Sequence, residues 1–88
     1  MNYYTIEVTD TFAGEANYCW VRRYQTKAST MRGAMRKLAN HYGGYWKAAW
    51  SDTYSARYDM KGAAICAFVE FYDRDGWSDL GGAHYESI

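Results

Sequence analysis

Few residues of this 88-residue chain are of a type that does chemistry: two cysteines, two histidines and one close pair of aspartates. Cys19, Cys66, His41 and His84 make a zinc set by type, but no two of them have the close-paired spacing of zinc ligands. Both cysteines lie in apolar, strand-like runs and read as small buried hydrophobes. His41 falls near the end of a helical pattern, where the helix dipole favours a cation. His84 stands among polar and glycine residues and reads as solvated. Asp73 and Asp75 flank Arg74, yet nothing around them in sequence builds a pocket. Gly43-Gly44 and Gly81-Gly82 lack the Lys-Ser/Thr context of a phosphate-binding loop. The expectation is a protein that is not an enzyme, with no catalytic residue, no metal and no cofactor.

The charges are more informative. Lys and Arg balance Asp and Glu at ten each. Their order is uneven: residues 16–51 hold Arg22, Arg23, Lys27, Arg32, Arg36, Lys37 and Lys47 and no acid at all. The acids lie outside that span, at Glu7, Asp10 and Glu15 before it and at Asp52, Asp59, Glu70, Asp73, Asp75, Asp79 and Glu86 after it. Two readings fit. In one, the acidic ends fold back and pair with the middle as a solvated shell, each pair contributing about 0–1 kcal/mol. In the other, the second strand and the helix build a basic face with interleaved aromatics, Tyr18, Trp20, Arg22 and Tyr24, able to grip phosphates or an acidic protein surface. Aromatic residues make up 19% of the chain, more than so small a core uses, which again points to exposed aromatics at a binding surface.

The elements that position these residues follow from periodicity. Met31, Ala34, Met35, Leu38, Ala39 and Tyr42 recur at helical spacing, predicting an amphipathic helix over about 30–42. Ser29 or Thr30 caps its start and Gly43 ends it. Arg32, Arg36 and Lys37 occupy the other face. Tyr4, Ile6 and Val8 alternate with polar residues as in a half-buried strand over 3–9. Residues 10–16 read as a turn or short loop. A second strand over 17–26 has two mixed faces, reconciled by a bulge near Val21-Arg22-Arg23. Residues 45–50 suit a helical turn, with Trp46 and Trp50 four apart. A short strand is expected over 54–59. Residues 63–73 carry Ala63, Ile65, Ala67, Val69 and Phe71 on one apolar face and predict a central strand. The fold class expected is α+β, two layers: an antiparallel sheet of about four strands with one main helix across one face. One domain covers 1–88, with an ordered core over about 2–75 and a loosely packed acidic, glycine-containing tail over 76–88. No run of apolar residues is long enough to span a membrane, and no export signal is visible.

In its size, its opening Tyr3-Tyr4-Thr5-Ile6-Glu7-Val8-Thr9-Asp10 and the run Tyr18-Cys19-Trp20-Val21-Arg22-Arg23-Tyr24 leading into one basic helix, the chain resembles small orphan proteins of phages and prophages, of the anti-CRISPR type. The resemblance carries no motif. It implies an inhibitor in the cytoplasm of a bacterial host, acting on a host protein or ribonucleoprotein complex by occluding a nucleic-acid or protein contact. The residues placed in that role by charge are Arg22, Arg23, Tyr24, Arg32, Arg36, Lys37 and Lys47. The alternative is a small module that binds single-stranded nucleic acid through the same basic and aromatic middle. The oligomeric state, monomer or homodimer, stays open.

Overall fold

The computed structural model describes residues 1–80 and 84–88. Strands β1 (Asn2–Phe12) and β2 (Glu15–Ala28) form a hairpin, helix α1 (Met31–Tyr42) follows, and β3 (Trp46–Ser51), β4 (Ser55–Met60) and β5 (Ile65–Tyr72) make a meander. A short helix α2 (Arg74–Leu80) and a two-residue strand β6 (Glu86–Ser87) end the chain. The sheet order is β3-β4-β5-β1-β2-β6. All neighbours pair antiparallel except β2 and β6, which are parallel.

This architecture corrects the expected one. Among the described residues the sheet has six strands and is mixed, and there are two helices, where one main helix and about four antiparallel strands were expected. Local spacing misled at residues 45–50. There the chain is extended because its backbone pairs with β4, Trp46 opposite Met60, Lys47 opposite Asp59 and Ala48 opposite Tyr58. Asp52 makes the hairpin: its carboxylate accepts the backbone N–H groups of Tyr54 and Ser55, both at 2.9 Å. Those two bonds hold the Asp52 carboxyl below its ordinary pKa. The second helix begins at Asp73, whose Oδ1 accepts the Gly76 N–H at 2.7 Å as a capping carboxylate does. Trp77 in α2 docks on the sheet, its indole N–H donating to the Tyr4 carbonyl at 2.9 Å. At the C-terminus Thr26 donates to the Ile88 carbonyl and Ile88 N–H to the Gln25 carbonyl, both at 3.0 Å. Of the tail expected over 76–88, residues 81–83 lie outside the described residues.

The core forms where α1 lies over β5, β1 and β2. Ala34, Met35 and Leu38 on the helix meet Tyr4, Ile6, Val8, Tyr24, Ala67 and Val69 on the sheet. Thr30 caps α1, its hydroxyl accepting the Gly33 N–H at 3.0 Å. The β1–β2 turn is tighter than the loop expected over 10–16: Ala13 and Gly14 both take positive φ, 52° and 85°, as in a two-residue hairpin turn of right-handed twist. The bulge also lies elsewhere. Thr9 pairs with Val21 and Thr11 with Ala16, so residues 17–20 of β2 stand against Asp10 alone. Asp10 organises this wide bulge by accepting the Cys19 N–H at 3.2 Å and the Asn17 side-chain amide at 3.3 Å. Tyr18 within it has φ 56°, an uncommon conformation for a residue other than glycine. Cys19, expected to be buried, is exposed on the bulge, whereas Cys66 is buried in β5.

Candidate functional site

Regular pairing through Arg22 and Arg23 divides the basic middle. Val8 stands opposite Arg22, Glu7 opposite Arg23 and Ile6 opposite Tyr24. Adjacent residues of a strand point to opposite faces, so Arg22 shares the helix side of the sheet with Tyr24, and Arg23 lies on the other side. There Arg23 Nε sits 3.0 Å from Glu7 Oε2. Tyr24 is only 3% exposed and belongs to the core, with its ring edge-on to His41 at 5.4 Å. Burial pushes its phenol pKa up. Its ring is therefore closed to an outside partner. Arg22 lines a shallow depression with Trp20, Val21 and Tyr42. Lys37 lies on the β2 flank of α1, its ammonium donating to the Lys27 carbonyl at 2.6 Å.

Arg32 and Arg36 lie on the other flank, one helical turn apart and exposed. Among the described residues neither makes an ion pair. They wall a cleft of about 630 Å³ between α1 and the β3–β4 hairpin, with Met35, Ala39, Gly44, Tyr45, Trp46, Lys47, Ala48 and Tyr58 completing the lining. Lys47 follows Trp46 in the β3 wall, registered opposite Asp59. Among the described residues no carboxylate lines it. Trp46 is fixed by its indole N–H, which donates to the Gly43 carbonyl at 3.0 Å, and by edge-on contact with Tyr42 at 5.9 Å. Tyr45 is 83% exposed beside it. Gly44 lets the chain turn from α1 into this wall: its φ is 82°, and a Cβ there would meet the Met60 methyl at 2.9 Å.

So of the seven residues selected from the sequence, Arg32 and Arg36 stand over one cleft; Lys47 lies in its β3 wall, but strand alternation turns its side chain to the face of Asp59, away from α1, and Arg22, Arg23, Tyr24 and Lys37 do not reach it. Tyr45, Trp46, Ala48 and Tyr58 are the cleft residues that sequence reasoning left out. A signal existed: Trp46, Ala48 and Trp50 alternate as in a strand, but the same two tryptophans also fit a helical turn. The two guanidinium groups, the aromatics and the small apolar groups of the cleft suit binding an anionic and partly apolar partner.

Elsewhere, among the described residues, three ion pairs form, the Arg23–Glu7 pair and two more. Arg57 Nε lies 2.9 Å from Asp59 Oδ1, and its guanidinium sits over the Phe68 ring, on which Tyr18 stacks at 6.2 Å. Tyr72 donates to Glu70 at 3.1 Å. His41 Nε2 lies 2.7 Å from Glu86 Oε2 and ties the end of α1 to β6. Among the described residues no three His, Cys, Asp or Glu side chains converge as metal ligands would. Burial raises the pKa of the Cys66 thiol and keeps it protonated and inert. No described helix is long and apolar enough to cross a membrane. Comparison with family models, curated proteins and solved structures returns no match.

Proposed function

We propose that this is a non-enzymatic binding protein that covers an anionic contact surface of a larger host assembly, using the cleft between α1 and β3–β4. The observation that carries the proposal is the pair Arg32 and Arg36, exposed, without ion-pair partners among the described residues, and flanked by the aromatic wall of Tyr45, Trp46 and Tyr58. Like charges one turn apart destabilise a helix by about 0.2–0.5 kcal/mol. A bound anion reverses that sign, so the arrangement suits a partner better than it suits the free protein. Read with the resemblance to small phage proteins, the partner is a protein or ribonucleoprotein complex in the cytoplasm of a bacterial host, and the effect is inhibition by occlusion.

A single-stranded nucleic-acid module built on β2 has less support. Of its aromatics Tyr18 and Trp20 are exposed, but Tyr24 is buried and its Arg23 is held by Glu7. Salt separates the two readings, because each neutralised phosphate releases counterions and makes affinity fall steeply with ionic strength. Short oligonucleotides should bind weakly at low salt and not at physiological salt. A protein or ribonucleoprotein retained from bacterial extract by the wild type should be lost with Arg32→Glu/Arg36→Glu, which alters two exposed side chains and leaves the fold intact. Tight oligonucleotide binding at physiological salt, or a partner retained equally by the variant, would refute the proposal.

A further inference from the structure

Helix α1 covers only part of its side of the sheet, β5, β1 and β2, and β3 and β4 beside it carry no helix. Two neighbouring strands with their side chains are about 10 Å wide, the diameter of one α-helix with its side chains. Six strand residues span roughly 20 Å, the length of about 13 helical residues. The uncovered strip is therefore the size of one short helix lying alongside α1. Its floor is Trp46, Ala48 and Tyr58, and its inner wall is Met35 and Ala39. The small Ala39 and Ala48 permit close approach, and Trp46 and Tyr58 supply apolar area already packed against the core. Above that wall stand Arg32 and Arg36, at the i, i+4 spacing that a pair of carboxylates on a neighbouring helix would match.

We infer that the cleft is a docking slot for one amphipathic, acidic helix of the protein partner, seated on the β3–β4 face beside α1, with carboxylates one turn apart against Arg32 and Arg36. The inference deepens the function proposed above and rests on it for the existence of a protein partner. Size, the apolar floor and charge complementarity select this occupant. A second copy of the chain does not supply it: α1 has no acid, and α2 is only seven residues long. A nucleic-acid strand would find one freely exposed ring, Tyr45, but does not account for the apolar floor, where Trp46 is pinned by Gly43 and Tyr58 is half-buried.

The probe is a lactam-stapled 14-residue helix with leucines on one stripe and two glutamates at i, i+4 beside it. It is titrated into isotopically labelled full-length protein at physiological salt, with a glutamate-to-lysine version and a ten-nucleotide oligothymidylate as the other arms. The expected result is saturable shifting of the backbone amides of Arg32, Arg36 and Tyr58 and of the Trp46 indole, with those of Phe12, Tyr18 and Trp20 still. The lysine peptide should bind about tenfold more weakly or worse, because like charges across an interface are strongly unfavourable. In Arg32→Glu/Arg36→Glu the preference should invert toward the lysine peptide. Absence of saturable shifts with the glutamate peptide overturns the inference, as do equal affinity for the two peptides, shifts centred on the hairpin tip, or tighter binding of the oligothymidylate to the same residues. If the double variant loses its host partner while no helical peptide binds, the function proposal stands and the helix falls. If the peptide binds as described while the variant keeps its host partner, the slot stands and that function falls.

Discussion

Arg32 violates a local rule. It occupies the first turn of α1, where backbone N–H groups leave a partial positive charge and where no acid is present. Arg36, four residues on, adds like-charge repulsion. Arg32→Glu should therefore raise stability by about 0.3–1 kcal/mol while weakening partner binding, a gain readable as a small rise in thermal midpoint. A fall in midpoint would mean that Arg32 serves the fold. Thr30 follows the rule that Arg32 breaks. Thr30→Ala, which removes the hydroxyl held by Gly33 N–H, should cost about 1 kcal/mol in a denaturant titration.

At the scale of elements, α1 and the wide β2 bulge behave differently. The helix is held by burial, and Leu38 is fully buried against the sheet. Leu38→Ala should cost about 2–5 kcal/mol, and an unchanged midpoint would refute the packing of α1 described here. The bulge is held by a few polar bonds, chiefly those from Asn17 and Cys19 to Asp10. Asp10→Ala should accelerate hydrogen exchange at the Cys19 amide, with a loss of global stability below about 2 kcal/mol because the site is exposed. A rise in exchange across β1 and β5 as well would show that the bulge and the sheet open as one unit. The exposed Phe12, Tyr18 and Trp20 that this hairpin end presents are predicted to loosen with it and to leave the cleft unaffected.

Across the whole molecule, a formal net charge of zero conceals a division of labour between the faces. On the face away from α1, Arg23 meets Glu7 and Arg57 meets Asp59, whereas on the helix side Arg32 and Arg36 make no ion pair among the described residues. The same packing bears on stability at alkaline pH. Tyr24, Tyr72 and Tyr85 all have pKa values raised above the ordinary 10.0, chiefly by burial, with nearby Glu86, Glu70 and Glu7 adding to it. A raised folded-state value means that the native protein holds these protons longer than the unfolded chain. Their contribution is fully present below pH 10 and is lost as pH rises through the folded values. Melting followed from about pH 9 upward should show the midpoint falling above pH 10, in step with phenolate absorbance. A midpoint insensitive to pH in that range would show that these phenols are free of the packing described.

Period and caps alone make much of this protein legible. The stripe Met31-Ala34-Met35-Leu38, the Thr30 and Gly43 boundaries of α1, the alternation of Tyr4, Ile6 and Val8 and the apolar run of β5 are local patterns, read within a dozen residues. So is the basic middle of the chain, which offers Arg32 and Arg36 among seven basic residues without separating them from the rest. The tertiary structure alone decided the rest, because each remaining feature depends on a distant partner. Trp46–Ser51 is a strand because β4 hydrogen-bonds to it, and its own residues fit a turn of helix equally well. The pairing of β2 with β6 joins Tyr24 to Glu86, far apart in the chain. Arg22 and Arg23, neighbours in sequence and equal in charge, part company because the β1–β2 register sends them to opposite faces and supplies Glu7 to only one. The cleft itself has no signature in any single stretch: it exists because α1 lies over β5, β1 and β2 and leaves β3 and β4 open beside Arg32 and Arg36.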